Sequence, residues 1–247
     1  MQILAEAEDL PKTANIKTQL ISLWSVPVFG LILLIAFVAF PGFFPPMSPE
    51  MTADQVAAFY RDHTAMVWFS MITFNICGIM LLPMFMVIVV QMKRMGTQSH
   101  VFAYCYLTAA VSGATLFALS DIFYLVAAFR PDRSPELVQL LNDMAWMIFI
   151  APVGAFVAMN LLLAAAIYFD SGPNPVFPRW VGHYTVATAL AMAPAVGAAI
   201  FKTGPLAWNG VVSFWVRNSA FALFVVVMFF VLRAVLRRQA VEEGVAQ

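Results

Sequence analysis

The sequence predicts an all-α fold: a polytopic membrane protein in which one bundle of six transmembrane helices takes up the whole chain, 1–247. Three observations carry that prediction. Hydrophobic residues make up 62% of the chain and charged residues 11%, against roughly 45–50% and about 25% in soluble domains. The mean hydropathy is +0.86. Several apolar runs exceed the ~20 residues that a helix needs to cross ~30 Å of hydrocarbon, and only a much larger soluble protein could bury that much apolar surface.

Composition also excludes functions. Lysines and arginines number 13 and acids 13, so the net charge is zero and no basic patch argues for a nucleic-acid partner. The expected partners are the lipid bilayer and a small lipophilic ligand, with a homo-oligomer left open. The two cysteines, Cys77 and Cys105, fall inside apolar runs, where small buried residues are the ordinary reading. No CxxC, zinc spacing or disulfide framework accompanies them. Three scattered histidines cannot supply a membrane haem, and carboxylates and histidines are too few for a dimetal centre, so no metal and no cofactor is expected. No P-loop, GxGxxG, HExxH or GxSxG occurs in a suitable context.

Residues 1–17 are polar, with Glu6, Glu8, Asp9, Lys12 and Lys17. The first span, about 19–43, is too long for a signal peptide and lacks a cleavage site; Pro27 bends it, and Pro41, Pro45 and Pro46 end it. In SPEMTADQVAAFYRDHT, Thr52 reads as an N-cap followed by a first-turn acid, Asp54. Val56, Phe59 and Tyr60 share a face, so a short interfacial helix between spans 1 and 2 is expected, either a plain connection or a lid over the bundle mouth. The second span, about 65–92, is interrupted by Pro83. The third, about 101–129, carries Ser112, Gly113 and Thr115, which suit close helix contact. Ser134-Pro135-Glu136 reads as N-cap, N1 proline and first-turn acid of the fourth span, about 136–169, bent near Pro152 and Gly154. The fifth span, about 180–201, contains Pro194; the sixth covers about 208–232.

Six spans put both termini on one side. The tails and even loops hold Lys12, Lys17, Lys93, Arg94, Arg179, Arg233, Arg237 and Arg238; the odd loops hold Arg61, Arg130, Arg133 and Lys202. Eight positive charges against four place the termini in the cytoplasm of a bacterial inner membrane. Trp24, Trp68, Trp180 and Trp208 lie near span ends and fit an interfacial belt.

Of the thirteen acids, only Asp121 and Asp143 fall inside an apolar run, and Arg217 is the one base that does. At ~1.5 Å per residue each sits roughly 12–13 Å in from the outer side. An isolated charge at mid-membrane costs about 2.5–3.5 kcal/mol on insertion scales. The three are therefore expected to face the bundle interior at one level, with Arg217 bridging the carboxylates and one acid left over. Asn142, Asn218, Tyr124, Trp146 and His63 are placed to join that layer as ligand-binding groups. The bland alternative is an ion-pair network that orders three helices and binds nothing. Asn75 and Asn160 lie deeper and suit hydrogen bonds between helices.

The segments AFRPDRSPELVQLLNDMAW, FPRWVGHY and FKTGPLAWNG resemble an uncharacterised group of six-span bacterial membrane proteins of the kind met in actinobacteria and sphingomonads. The likeness begins with SPEMTADQVAAFYRDH and covers nearly the whole chain. It implies a bacterial source and one compact unit. It assigns no activity.

The expected function is binding of a small hydrophobic or amphipathic molecule, with Asp121, Asp143 and Arg217 as catalytic or anchoring groups. In an enzymatic version a neutral aspartate donates a proton while Arg217 steadies developing charge. A proton- or cation-coupled transporter and a non-catalytic accessory subunit are the rivals.

Overall fold

A computed structural model describes residues 12–130 and 132–244, with side chains from residue 15; Glu6, Glu8 and Asp9 lie outside the described residues. All regular structure there is helical: α1 (Lys12–Ala39), α2 (Ala53–Gly78), α3 (Leu82–Lys93), α4 (Val101–Phe129), α5 (Pro135–Ile150), α6 (Gly154–Tyr168), α7 (Arg179–Met192) and α8 (Arg217–Glu242). Short 3₁₀ segments follow α2 (Ile79–Leu81) and α7 (Ala193–Ala199), and a π-helical segment (Val211–Val216) leads into α8. Among the described residues, five helical stretches are long and apolar enough to cross a membrane: Asn15–Ala39, Ala53–Lys93, Val101–Phe129, Pro135–Tyr168 and Val211–Glu242. The architecture is that of a multi-pass helical membrane protein.

The breaks have local causes. Pro83 and Pro152 remove a backbone donor and crowd the preceding turn, so α2 gives way to α3, and α5 to α6, near mid-span. The run expected as a fifth span is a 14-residue helix continued by a 3₁₀ segment through Pro194 rather than one long helix. Pro27, by contrast, is carried within α1. The expected separate helix after Thr52 is instead the first part of α2. Thr52 caps it as read from sequence, through a reciprocal box with Gln55, and non-helical angles at His63 (φ −119°, ψ 15°) kink it without ending it.

α4 is the central helix. It packs against α2, α3, α5 and α6, and Gly113 lets α6 approach so closely that an added Cβ would stand 3.4 Å from that of Ala155. Buried apolar residues form two cores. One, toward the chain ends, gathers Leu23, Met84, Ile88, Tyr106, Leu163, Val181, Met228 and Leu232. The other, toward the loops after α1 and α4, gathers Phe40, Phe43, Met71, Tyr124, Trp146, Phe149, Trp208 and Phe214.

Each core holds a polar layer, and the two differ. In the first, the Gln91 side-chain amide donates to Gln19 (2.7 Å) and Gln239 (2.9 Å), and its Oε1 accepts from Arg94 (2.7 Å). Gln19 donates in turn to Asn15, and Gln239 to Glu243. Three helices are tied by amides whose bonds close on one another. Gln91→Leu should orphan the Gln19 and Gln239 carbonyls and cost about 2–4 kcal/mol, at ~1–3 kcal/mol for each buried group left unmade. Thermal unfolding in detergent micelles, with the more exposed Arg94→Ala as the milder comparison, measures it.

Candidate functional site

The second layer starts from α4. Ser120, Asp121 and Tyr124 are buried on it, with Tyr124 four residues from Ser120 and three from Asp121, the spacing of helical neighbours. On α5 the buried stripe runs Val138, Asn142, Ala145, Trp146, Phe149 and Ile150. The rings of Tyr124 and Trp146 meet edge to face at 6.0 Å. That contact sets the register between the antiparallel helices and brings Asp121 near the level of Phe149. Arg217 reaches the same level from α8, its guanidinium 5.1 Å from the centre of the Phe149 ring.

Arg217 is aimed by a local irregularity. The π segment Val211–Val216 winds wider than an α-turn and is anchored on the preceding loop. Val212 and Ser213 donate their backbone N–H groups to the Pro205 carbonyl, and the Ser213 hydroxyl donates to Leu206. Gly210 is required there, since a Cβ would stand 2.4 Å from the Pro205 carbonyl oxygen. Arg217 then donates to Asn218 (2.8 Å).

The expected bridge between Arg217 and the aspartates does not form. Among the described residues, ion pairs join Arg94 and Arg238 to Glu242, and no carboxylate lies within 4.0 Å of Arg217. The reason is angular. Asp143 follows Asn142 by ~100° around α5, at the edge of the buried stripe, and it is half-buried within electrostatic reach of Lys202 and Tyr60. Asn142 is buried but engaged, its Oδ1 accepting from the Tyr60 hydroxyl at 3.0 Å. His63 is exposed at the kink of α2, against Phe59. Thus Tyr124 meets Trp146 and stands within electrostatic reach of both Asp121 and Arg217, Asn218 pairs with Arg217, Asn142 is taken by Tyr60, and Asp143 and His63 lie apart.

What the assembled groups share is the lack of a partner. Asp121 Oδ2, Tyr124 Oη, Ser120 Oγ, Trp146 Nε1, Arg217 Nε and Asn218 Nδ2 are all buried with no hydrogen-bond partner in the protein. Asp121 is 1% exposed, Tyr124 and Trp146 0%, Arg217 9%. Each such group costs about 1–3 kcal/mol. Six together rival the ~5–15 kcal/mol that holds a whole domain folded; Ser70, Tyr106, Asn160, Tyr184 and Glu243 each bury an unpartnered polar atom elsewhere. The ring of Phe149 offsets part of the burden of Arg217, a desolvated cation–π contact being worth ~2 kcal/mol.

The aromatic wall is closed by a segment that sequence reading treated as a mere helix end. Pro41 stops α1, and residues 40–47 turn back into the bundle, burying Phe40, Phe43 and Met47. Phe40 packs on Tyr124 (5.3 Å) and Phe43 on Trp146 (5.7 Å) and Phe149 (5.4 Å). Trp208 was expected in the interfacial belt with Trp24, Trp68 and Trp180, which are exposed. It is instead 6% exposed, stacks on Trp146 at 6.0 Å and donates its Nε1–H to the Met47 carbonyl at 2.8 Å. Proximity to a span end could not distinguish a belt tryptophan from one that pins a strap.

The remaining sequence candidates are ordinary. Asn75 donates across helices to the Ala118 carbonyl, whereas Asn160 donates within α6, to Phe156. His183 bonds the Tyr168 hydroxyl at 2.8 Å. No group of three or more His, Cys, Asp or Glu side chains that could hold a metal occurs among the described residues. A groove of about 670 Å³ between α4 and α6, lined by Cys105, Thr108, Ser112, Pro152, Ala155 and Ala158, is almost wholly apolar. Comparisons with protein families, curated proteins and solved structures return no match.

Trp208→Phe keeps a ring on Trp146 but releases the Met47 carbonyl. It should loosen residues 40–47, so that a cysteine introduced by Met47→Cys reacts at least several-fold faster with a maleimide than in the Trp208 background. Equal rates would mean that the bond does not hold the strap.

Proposed function

We propose that this protein binds a small hydrophobic or amphipathic molecule within the outer half of the membrane, with Asp121, Tyr124, Trp146 and Arg217 as its polar contacts and the strap 40–47 as the movable wall. The observation that carries the reading is the cluster of buried polar atoms lacking protein partners beside aromatic rings. The layer around Gln91 differs in that its buried amides bond one another. Asp121 can serve as a proton donor or as a fixed charge toward the ligand.

In this reading the chain forms six spans, with Arg179–Ala199 as the shorter fifth, and residues 53–63 lie at the membrane surface above the His63 kink. Both termini are cytoplasmic, in a bacterial inner membrane. The distribution of lysine and arginine supports that orientation, and the resemblance of SPEMTADQVAAFYRDH and FKTGPLAWNG to bacterial six-span proteins supports the source. A reporter fused after residue 247 should be active only as a cytoplasmic reporter, and activity of a periplasmic reporter there would reverse the orientation.

A coupled transporter is the second reading. Its specific support is the set of helices broken near mid-span, at Ile79–Leu81, 151–153 and Ala193–Ala199, since discontinuous helices build many transporter sites. The two readings separate on one variant. Asp121 has no ion-pair partner, so Asp121→Asn should keep the fold within about 1 kcal/mol. Native mass spectrometry should find a co-purified molecule on the wild type and less of it on Asp121→Asn. Absence of any molecule on either, with pH-driven counterflow in liposomes, would replace binding by transport.

A further inference from the structure

The outer surface of the bundle carries a charged feature that the buried layers do not use. We infer that the seam between α1 and α8 holds one anionic phospholipid, with its headgroup phosphate on Arg233 and Arg237 and its acyl chains along the apolar stripes of the two helices.

Both stripes follow from helical spacing. On α1 the exposed large apolar residues are Ile21, Trp24, Val28, Leu31, Ile35 and Val38, alternately three and four residues apart, so they share one straight face. Leu223, Val226 and Phe230 form the corresponding face of α8. In a multi-pass membrane protein such faces meet lipid tails, which are as apolar as leucine itself.

Each stripe turns from apolar to cationic at the end of the bundle that holds the chain ends. Lys17 is exposed and continues the α1 stripe one turn before Ile21. Arg237 is exposed and continues the α8 stripe two turns after Phe230. One turn before Arg237, Arg233 closes the seam: its guanidinium stands 5.7 Å from the centre of the Trp24 ring. That ring meets Phe229 edge to face at 5.4 Å, so the platform under the arginine is fixed from both helices.

Charge selects the lipid. Among the described residues no carboxylate lies within 4.0 Å of Lys17, Arg233 or Arg237. The neighbouring Arg238 is different, since it pairs with Glu242 and donates to the Pro175 and Val176 carbonyls. Glu242 is also held by Arg94, and Glu243 accepts from Gln239. The acids at the end of α8 are therefore engaged, and the seam keeps an excess of positive charge. Stacking on Trp24 uses the face of the Arg233 guanidinium and leaves its N–H edge to donate to two phosphate oxygens. Arg237 and Lys17 add attraction for the same anion. A zwitterionic headgroup would bring a further cation into this cluster, whereas a headgroup with net negative charge brings none. A free phosphate would use the same cations but gain nothing from the stripes.

The test titrates the detergent-purified full chain with dioleoylphosphatidylglycerol, dioleoylphosphatidylcholine or sodium phosphate, read by native mass spectrometry. The expected result is one phosphatidylglycerol per chain, held at least about tenfold more tightly than phosphatidylcholine and not displaced by millimolar phosphate. Arg237→Gln should weaken it about fivefold, and Arg233→Gln combined with Arg237→Gln about twentyfold, roughly fivefold for each basic residue beside an anionic headgroup. A charge-matched control, Lys93→Gln with Arg179→Gln, removes two exposed cations from the same end of the bundle and should change the affinity by less than about twofold. Equal binding of phosphatidylcholine would overturn the anionic class, and displacement by phosphate would replace the lipid with a free anion. A loss in the control pair equal to that in the arginine pair would reduce the effect to net charge and overturn the seam as a site. Arg237 is exposed, so Arg237→Gln answers even if the double variant fails to fold; phosphatidylglycerol binding indifferent to it would reject the inference.

Discussion

A guanidinium buried in the bundle without a carboxylate is the constraint from which the half of this protein around the loops after α1 and α4 is built. Burial of Arg217 at about 13 Å depth costs a few kcal/mol, and the protein answers with a ring face from Phe149 and one bond to Asn218. To bring the side chain there, α8 begins with a π segment bound to the Pro205 carbonyl. To dry the surroundings, residues 40–47 fold inward and Trp208 pins them through Met47. Remove the arginine, and the wide turn, the strap and the inward tryptophan lose their common purpose.

The two polar layers make the functional argument by contrast. They lie in the same bundle, but the layer around Gln91 runs out to the exposed Asn15 and Arg94, whereas Asp121, Tyr124 and Trp146 are fully buried. Around Gln91 the buried amides bond one another, with three helices held together as the result, although Glu243 Oε2 at the edge of that network has no partner. Around Arg217 six polar atoms have been left without one. Holding those atoms without partners costs the fold stability, and the proposed binding role rests on that cost.

Much of the fold was legible because membrane helices announce themselves by length and proline. The cap at Thr52, the breaks at Pro83 and Pro152 and the helix contact at Gly113 follow from local chemistry, whereas Pro194, read as lying inside one long span, ends the α-helix. Depth was legible in part: Tyr124 stands within electrostatic reach of both Asp121 and Arg217. Angle was not. The offset from the loop is the same for Asp121 and Asp143, yet a single residue, ~100° of helix, separates the engaged Asn142 from the half-buried Asp143. The π segment has no signature in VVSFWV, and the strap FPGFFPPM reads as a helix end until the rings it buries are located. Gln19, Gln91 and Gln239 escaped notice because each is an ordinary polar residue near a span end; only the tertiary fold unites them.

The central claim is that Trp146 Nε1 bonds something that is not this protein. The indole ¹⁵N–¹H resonance of Trp146, assigned through Trp146→Phe, reports that bond directly, and Trp208, bonded to the Met47 carbonyl, is the internal reference. On protein purified gently from its membrane the account predicts a hydrogen-bonded shift for Trp146 that moves upfield on exhaustive delipidation while Trp208 stays in place. A Trp146 resonance indifferent to delipidation would contradict it.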